Sequence, residues 1–186
     1  MMDRMAATDD FTPVGALSEA GAELARTRLP GWLSEFVLTH GTGAFMGGYL
    51  KVVDPAAWAP ALEGCYVNAA DSVAVMATGL ADLVVWDEAG GKGALLLLEL
   101  RKQKLEALID DLFFSLLDDP GFRSHALDMD VWAPGVARLG VPAYGERLGF
   151  EPLLALGGPE SPDHLARVGL REHVALMSAL TGGLRE

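Results

Sequence analysis

The spacing of apolar residues predicts two helices in the first forty or so residues of the chain. A weak helix is expected from Pro13 to Arg28. A second helix begins near Pro30, because proline suits the first helical turn, and ends at Gly41, where a left-handed glycine is favoured. The apolar face of this second helix consists of Trp32, Leu33, Phe36 and Val37.

The following segment has the composition of β-strands. Short apolar runs predict four strands, namely YLKVVD, SVAVMAT, DLVVWDE and ALLLLEL. The first run follows the glycine-rich turn GTGAFMGG and precedes a short helix that begins at Pro55. Gly-containing turns separate the other three, and EAGGKG has the composition of a hairpin loop, so we expect neighbouring antiparallel strands.

From Gln103 the apolar period becomes helical. The spacing predicts one buried helical stripe made of Leu105, Leu108, Ile109, Leu112, Phe113, Leu116 and Leu117. After Pro120 the pattern predicts short helices around Pro134 and Pro142, and a final helix through REHVALMSAL that ends at the glycine pair 182–183. The predicted fold is α+β, with a small antiparallel sheet packed with helices and a mainly helical C-terminal half.

The charge of the chain restricts its partners. Its 186 residues include 14 Lys and Arg against 26 Asp and Glu, which gives a formal net charge of −12. A strongly acidic protein is not expected to bind nucleic acid or an anionic membrane directly, whereas a basic protein partner remains compatible. The single Cys65 allows no internal disulfide framework, and the first residues lack a signal-peptide pattern, so we expect a cytoplasmic protein.

The motifs of the chain do not indicate catalysis or a cofactor. The Gly157–Gly158 turn has no lysine or arginine within it and matches neither common nucleotide-binding pattern. His164 and His173 lie too far apart to share one metal ion, and Cys65 has no histidine near it in sequence. We therefore expect no catalytic residues, no metal and no cofactor.

Two segments resemble known domains. The stretch LPGWLSEFVLTHGTGAFMGGYLKVVDPAAW, followed by VAVMATGLADLVVWD, resembles the GAD-like domain. The stretch YGERLGFEPLLALGGPESPDHLARVGLREHVALM resembles the C-terminal domain of Tdi-type immunity proteins of type VI secretion. The resemblance implies a flexible N-terminus over 1–12, a GAD-like domain over 13–102 and a mainly helical domain over 103–186, packed together as one unit.

The resemblance implies an immunity protein without chemistry of its own. Its expected partner is a cognate secreted DNase effector, which it would bind and block, while its oligomeric state stays open. The resemblance assigns structural roles to Gly41, Gly43, Gly48, Pro55, Asp82, Pro152, Gly157, Gly158, Glu172 and His173. The chain departs from the family pattern at Leu80–Ala81 and at Glu146–Arg147. An accessory or ligand-binding module with no toxin partner is the alternative.

An acidic stretch between residues 106 and 130 is the candidate partner-binding surface, because a DNase presents a basic cleft to DNA. The candidate residues are Asp110, Asp111, Asp118, Asp119, Asp128, Asp130 and Trp132. In the competing interpretation these carboxylates are solvated charges and helix caps, particularly the pair before Pro120, and Trp132 is a core residue.

Overall fold

A computed structural model describes residues 6–185 of the chain. Of the expected flexible N-terminus, residues 1–5 lie outside the described part, and Ala6–Thr8 forms a 3-10 turn. The strands are β1 Thr12–Gly15, β2 Thr42–Phe45, β3 Leu50–Val52, β4 Ser72–Thr78, β5 Leu83–Asp87, β6 Ala94–Glu99, β7 Lys104–Ala107, β8 Glu146–Phe150 and β9 Leu165–Gly169. The helices are α1 Glu19–Arg28, α2 Gly31–His40, α3 Pro55–Cys65, α4 Phe113–Leu116, α5 Pro120–His125, α6 Met129–Leu139 and α7 Leu170–Thr181.

Strands β1 to β7 form one sheet in which spatial order equals chain order. Each strand pairs with the next one in antiparallel register. The predicted neighbours β4, β5 and β6 are confirmed, as is the α+β fold class. Strands β8 and β9 form a separate two-stranded antiparallel sheet.

Helices cover both faces of the large sheet, so the sheet is the middle layer of three. On one face of the sheet, a core cluster contains residues of α2 and α4 together with residues of β3 to β6. Phe36, Phe113 and Leu97 are members of this cluster. On the other face α3 and α7 pack against the opposite side of the same strands, with Trp58 and Val174 in contact with a second cluster. Successive side chains along a strand point to opposite faces of the sheet, so the same strands contribute residues to both clusters.

Local signals in the sequence account for the ends of three helices. Asp54 caps α3 through its carboxylate, which accepts from the Ala57 amide, and Pro55 occupies the first helical turn. Gly41 follows α2 with a φ of 66°, a conformation that side-chain-bearing residues rarely adopt. At the end of α7, Gly182 has a left-handed conformation, as expected.

The predictions for several short segments were wrong. Thr12–Gly15 and Thr42–Phe45 are paired strands, although the sequence favoured a helix for the first and a turn for the second. Pro142 lies in a loop rather than in a helix, and β8 and β9 were not predicted. For the four strands, pairing between separate segments decides the structure, and a local sequence pattern does not show such pairing.

The predicted helix from Gln103 was also wrong over most of its length, because within its apolar stripe only Phe113–Leu116 is helical. Residues Lys104–Ala107 form β7, which pairs with β6, and the expected domain boundary therefore falls in the turn between two paired strands. This turn lacks a glycine or proline signal: Gln103 itself takes a φ of 52°, and its side-chain amide donates to the Leu100 carbonyl at 2.8 Å. Leu108, Phe113 and Leu117 are buried as predicted, but Ile109 and Leu112 are 54% and 50% exposed.

Trp132 belongs to the core and holds α6 against the large sheet. Its side chain is 3% exposed, and its ring meets Tyr49 edge-on at a centroid distance of 5.4 Å. The ring lies so close to Gly79 that any Cβ there would clash with it. The position therefore supports the core interpretation of Trp132 rather than an exposed anchor.

We expect Trp132→Ala to lower the free energy of unfolding by about 3–5 kcal/mol, because it leaves a cavity between α6 and the sheet. Urea unfolding followed by circular dichroism measures this change. Leu156→Ala is the control, since Leu156 is 66% exposed and its truncation should change stability by less than about 0.5 kcal/mol. Equal effects of the two substitutions would contradict the core role.

Candidate protein-binding surface

A group of buried ion pairs lies around Arg101, in the turn that follows β6. Its guanidinium contacts four carboxylates: Asp82 at 3.0 Å, Glu99 at 3.5 Å, Glu160 at 3.3 Å, and Asp128. The side chain of Arg101 is 5% exposed. One cation therefore joins the start of β5, the end of β6, the start of α6 and the loop before β9.

Two lysines extend this cluster toward solvent. Lys102 contacts Asp128 at 2.6 Å and Glu99 at 3.4 Å. Lys104 contacts Glu99 at 3.5 Å and Glu106 at 2.6 Å. We call Asp82, Glu99, Arg101, Lys102, Asp128 and Glu160 the ionic cluster.

The pKa values in the ionic cluster follow from burial and pairing. Burial raises the pKa of Asp82 to about 6, although Arg101 opposes the shift. Burial alone would also raise the pKa of Asp128, but hydrogen bonds from Lys102 and Arg101 outweigh it and lower that pKa. Asp128 is thus held as an anion by these two cations, with a side chain that is 18% exposed.

Three other candidate carboxylates stabilise local structure. The Asp110 carboxylate accepts a hydrogen bond from the amide of Leu95, a residue of β6, at 2.7 Å. Asp119 is the N-cap of α5 and accepts from the Phe122 amide at 2.7 Å, as the competing interpretation predicted. Asp130 accepts a hydrogen bond from the Ser124 hydroxyl.

Among the described residues, Asp111 and Asp118 are the exposed candidates whose carboxylates accept hydrogen bonds from neither a backbone amide nor a hydroxyl. Asp118 has a 3.4 Å contact with Arg123, and both side chains are substantially exposed. Ile109 and Leu112 bracket Asp110 and Asp111 in sequence and expose about half of their side chains. We call Glu106, Ile109, Asp111, Leu112 and Asp118 the acidic edge surface, because these residues lie on β7 or follow it in the chain, and β7 is at the edge of the sheet.

Sequence reasoning missed the two apolar members of this surface because it assigned Ile109 and Leu112 to a buried helical stripe. The alternation of charged and apolar residues in KLEA, residues 104–107, is a period-two signal that favours a strand. A strand there ends the helical register, so Ile109 and Leu112 need not face the core.

The residues with expected structural roles lie in turns and at close approaches. A Cβ on Gly43 would clash with the Phe11 ring, and Gly48 has a φ of 85°. Pro152 follows a cis peptide bond, and a Cβ on Gly158 would meet its carbonyl oxygen. Gly157 is left-handed with a φ of 83°.

Glu172 and His173 lie in the first turn of α7, where the resemblance implied a role at a turn or a helix end. The Glu172 side chain folds back over Gly169, the N-cap of the helix. His173 is 7% exposed and packs against Gly149 of β8. Both positions fit a scaffold role for this segment.

The departure at Arg147 places a second cation inside the protein. Arg147 is fully buried, and burial lowers its pKa to about 9 while Asp82 and Glu172 oppose the shift. Lys51 is also fully buried and donates to the Ala143 carbonyl at 2.8 Å; burial, followed by Arg147, lowers its pKa to about 8. Of these two cations, Arg147 interacts with Asp82 and so offsets part of the negative charge of the ionic cluster.

A cavity of about 400 Å³ lies where α3 meets the start of α7. Its walls include Trp58, Tyr144 and Arg171. The Arg171 guanidinium lies 4.7 Å from the centroid of the Trp58 ring and donates to the Ala57 carbonyl at 2.9 Å. The Tyr144 hydroxyl donates to the Val52 carbonyl at 2.7 Å, so these polar groups already hold the scaffold together.

Residues 6–185 contain no group of three or more His, Cys, Asp or Glu side chains arranged to hold a metal ion. None of the helices in this described part is long and apolar enough to cross a membrane.

Comparison with known proteins agrees with part of the expected relationship. Residues 110–181 match the family model described as T6SS immunity protein Tdi1, C-terminal. The match covers less than half of the chain and supports a relationship to type VI immunity proteins. It does not extend to residues 13–102, whose resemblance to a GAD-like domain stays a prediction.

The fold is similar to the crystal structure of Atu4351 from Agrobacterium tumefaciens, with a TM-score of 0.72. The alignment covers 92% of this chain and 86% of that chain at 12% sequence identity, so it shows a shared fold alone. A search of the curated proteins found no match in sequence.

We expect Arg101→Met to lower the free energy of unfolding by about 3–5 kcal/mol at pH 7, because it leaves buried carboxylates without their shared cation. Burial raises the pKa of Asp82 above its unfolded value, and in the variant Arg101 no longer opposes that shift. The folded state then binds protons that the unfolded state releases, so the variant should lose stability as pH rises from 5 to 7. Urea unfolding at both pH values measures the difference.

Arg28→Met is the matched control for this prediction. Arg28 pairs with Glu88 at 2.5 Å, but their side chains are 29% and 38% exposed. Solvent screens such a pair, so its loss should change stability by about 1 kcal/mol or less. A small and pH-independent effect of Arg101→Met would show that the ionic cluster does not stabilise the fold.

Proposed function

We propose that this chain is an immunity protein of type VI secretion that binds a basic DNase effector in the cytoplasm and covers its DNA-binding or active-site surface. The observation that carries the proposal is the acidic edge surface. Its members Asp111, Leu112 and Asp118 lie within the segment that matches the Tdi1 C-terminal model. The net charge of −12 supports the same class of partner.

The physical basis is complementarity with a surface built to hold phosphates. Carboxylates at the rim of an interface attract a basic cleft and raise the association rate. Exposed apolar side chains such as Ile109 and Leu112 supply the dehydrated contacts from which most affinity comes. Carboxylates and exposed apolar side chains occur together within one short stretch, and this combination favours a protein partner over a small ligand.

The proposal narrows the set of contact residues. Asp110, Asp119, Asp128 and Asp130 have closer hydrogen bonds or ion pairs within the chain than Asp118, which meets Arg123 at 3.4 Å, so we assign these four to shaping the surface. Asp111 and Asp118 are the carboxylates proposed to meet the effector. We also propose that residues 13–102 and 103–186 act as one rigid unit, because the core cluster on one face of the sheet contains residues from both.

An accessory or ligand-binding module without a toxin partner is the second candidate. The cavity beside Trp58 and Tyr144 favours it, since its volume of about 400 Å³ falls within the range of small-molecule sites. Binding of the effector, measured directly, separates the two functions.

We expect the double variant Asp111→Asn/Asp118→Asn to associate more slowly with the effector. The probe is the purified product of the neighbouring effector gene, made inactive as a nuclease. At low salt the association rate should fall by roughly 3- to 10-fold, and its dependence on ionic strength should weaken, because steering requires charge while Asn keeps the shape. Stopped-flow measurements at several salt concentrations give both quantities.

The matched control is Glu63→Gln/Asp71→Asn, which removes two exposed charges from α3 and from the turn before β4. It changes the net charge equally and should retain most of the association rate. Equal slowing by both double variants would assign the effect to net charge rather than to the acidic edge surface. Wild-type affinity in the micromolar range, instead of about nanomolar or tighter, would reject the immunity function.

A further inference from the structure

The large sheet has an open edge at β7. Strand β7 pairs with β6 on one side, and it is the last strand in the order β1 to β7. Its four residues are exposed or half-buried. An open edge presents unpaired backbone groups that can pair with another chain.

The register identifies the backbone groups that face outward. The Leu108 amide donates to the Leu95 carbonyl at 2.8 Å, and the same register pairs Glu106 with Leu97 and Lys104 with Glu99. In an antiparallel ladder, hydrogen-bonded and non-hydrogen-bonded pairs alternate. The amides and carbonyls of the intervening residues Leu105 and Ala107 therefore point away from β6.

The opposite edge of the sheet differs from β7. Strand β1 contains Pro13, which has no amide hydrogen to donate, and its register with β2 is irregular between Pro13 and Gly15. Proline and a bulge are both features that prevent strand addition. Strand β7 contains no proline, and its pairing with β6 is regular from Lys104 to Ala107.

The side chains around β7 define what could pair with it. Glu106 lies on the strand, where its carboxylate also contacts the exposed Lys104 at 2.6 Å; Asp111 follows the strand, and Ile109 and Leu112 add exposed apolar surface. A second strand of opposite charge would place Lys or Arg across from Glu106, and cross-strand pairs of opposite charge are favourable.

A second copy of the chain fits this edge poorly. In an antiparallel pair of two β7 strands related by a two-fold axis, Leu105 of one copy would lie opposite Ala107 of the other. Glu106 of one copy would then lie opposite Glu106 of the other. Like charges directly opposite each other are destabilising, and each copy carries a net charge of −12. The edge therefore favours a basic partner over itself.

We propose that an extended, basic segment of the effector adds to the large sheet along β7, with backbone hydrogen bonds to Leu105 and Ala107. This inference rests on the proposed immunity function and specifies its binding mode. The backbone pairing fixes the register of the partner segment, while Ile109, Asp111 and Leu112 contact side chains beyond the strand. Such strand addition gives affinity through the main chain and specificity through side chains.

Residue-resolved hydrogen exchange on the full-length chain tests the pairing, with the inactive effector as the probe. In the free protein the amides of Leu105 and Ala107 should exchange fast, while those of Glu106 and Leu108 are already protected by β6. In the complex, exchange at Leu105 and Ala107 should slow by on the order of tenfold or more. Burial without strand pairing would not select these two amides.

Ala107→Pro provides an independent test, because it removes one outward amide without touching the hydrogen bonds to β6. We expect a dissociation constant raised by about tenfold or more, with an unchanged far-UV spectrum and melting temperature. Ala107→Val is the matched control, since it enlarges the side chain but keeps the amide. Should the proline variant unfold, hydrogen exchange of the wild type still decides the question.

The outcomes separate the two proposals. Two results would overturn strand addition and leave the immunity function intact. One is tight binding without added protection at Leu105 and Ala107. The other is a folded Ala107→Pro variant that binds the effector with wild-type affinity. Failure of the wild type to bind the effector would reject the function and the pairing together. Concentration-dependent dimers that protect the same amides in the free protein would assign the edge to a second copy and overturn the proposal.

Discussion

The placement of one buried guanidinium, that of Arg101, determines how the second half of the chain meets the first. Four carboxylates from separate parts of the chain converge on it, including Asp82, which is 1% exposed. Burying so many charges is unfavourable unless each is paired, so the segments that supply them must hold their positions together. The turn after β6, the start of α6 and the loop before β9 are therefore fixed relative to the sheet.

The ionic cluster also determines the local conformation of the acidic segment. Asp128 precedes α6 with a φ of 48°, and its carboxylate caps no amide of that helix. Its Oδ2 atom instead accepts hydrogen bonds from Arg101 and Lys102. A left-handed aspartate that gives up its capping bond is held in place by the charges that it meets. This arrangement separates Asp128 from the exposed carboxylates Asp111 and Asp118.

The acidic edge surface combines two properties that usually compete. Exposed apolar groups favour association with any partner, including another copy, whereas like charges oppose self-association. Ile109 and Leu112 beside Asp111 and Glu106 provide both, so the surface favours a basic partner selectively. The open edge of β7 adds backbone groups to the same region, which gives the proposed contact a direction and a register.

The sequence by itself determined the class of the fold, the antiparallel β4 to β6, helices α2, α3 and α7, and the cap Asp119, because these follow from local patterns along the chain. The net charge, a property of composition, left a basic protein partner compatible. Tertiary structure alone decided that Thr12–Gly15 and Lys104–Ala107 are strands, that Ile109 and Leu112 are exposed, and that Asp128 is internal. Each of these depends on a contact between residues distant in sequence, such as Asp128 with Arg101, and no local spacing encodes which distant charge or strand a residue will meet.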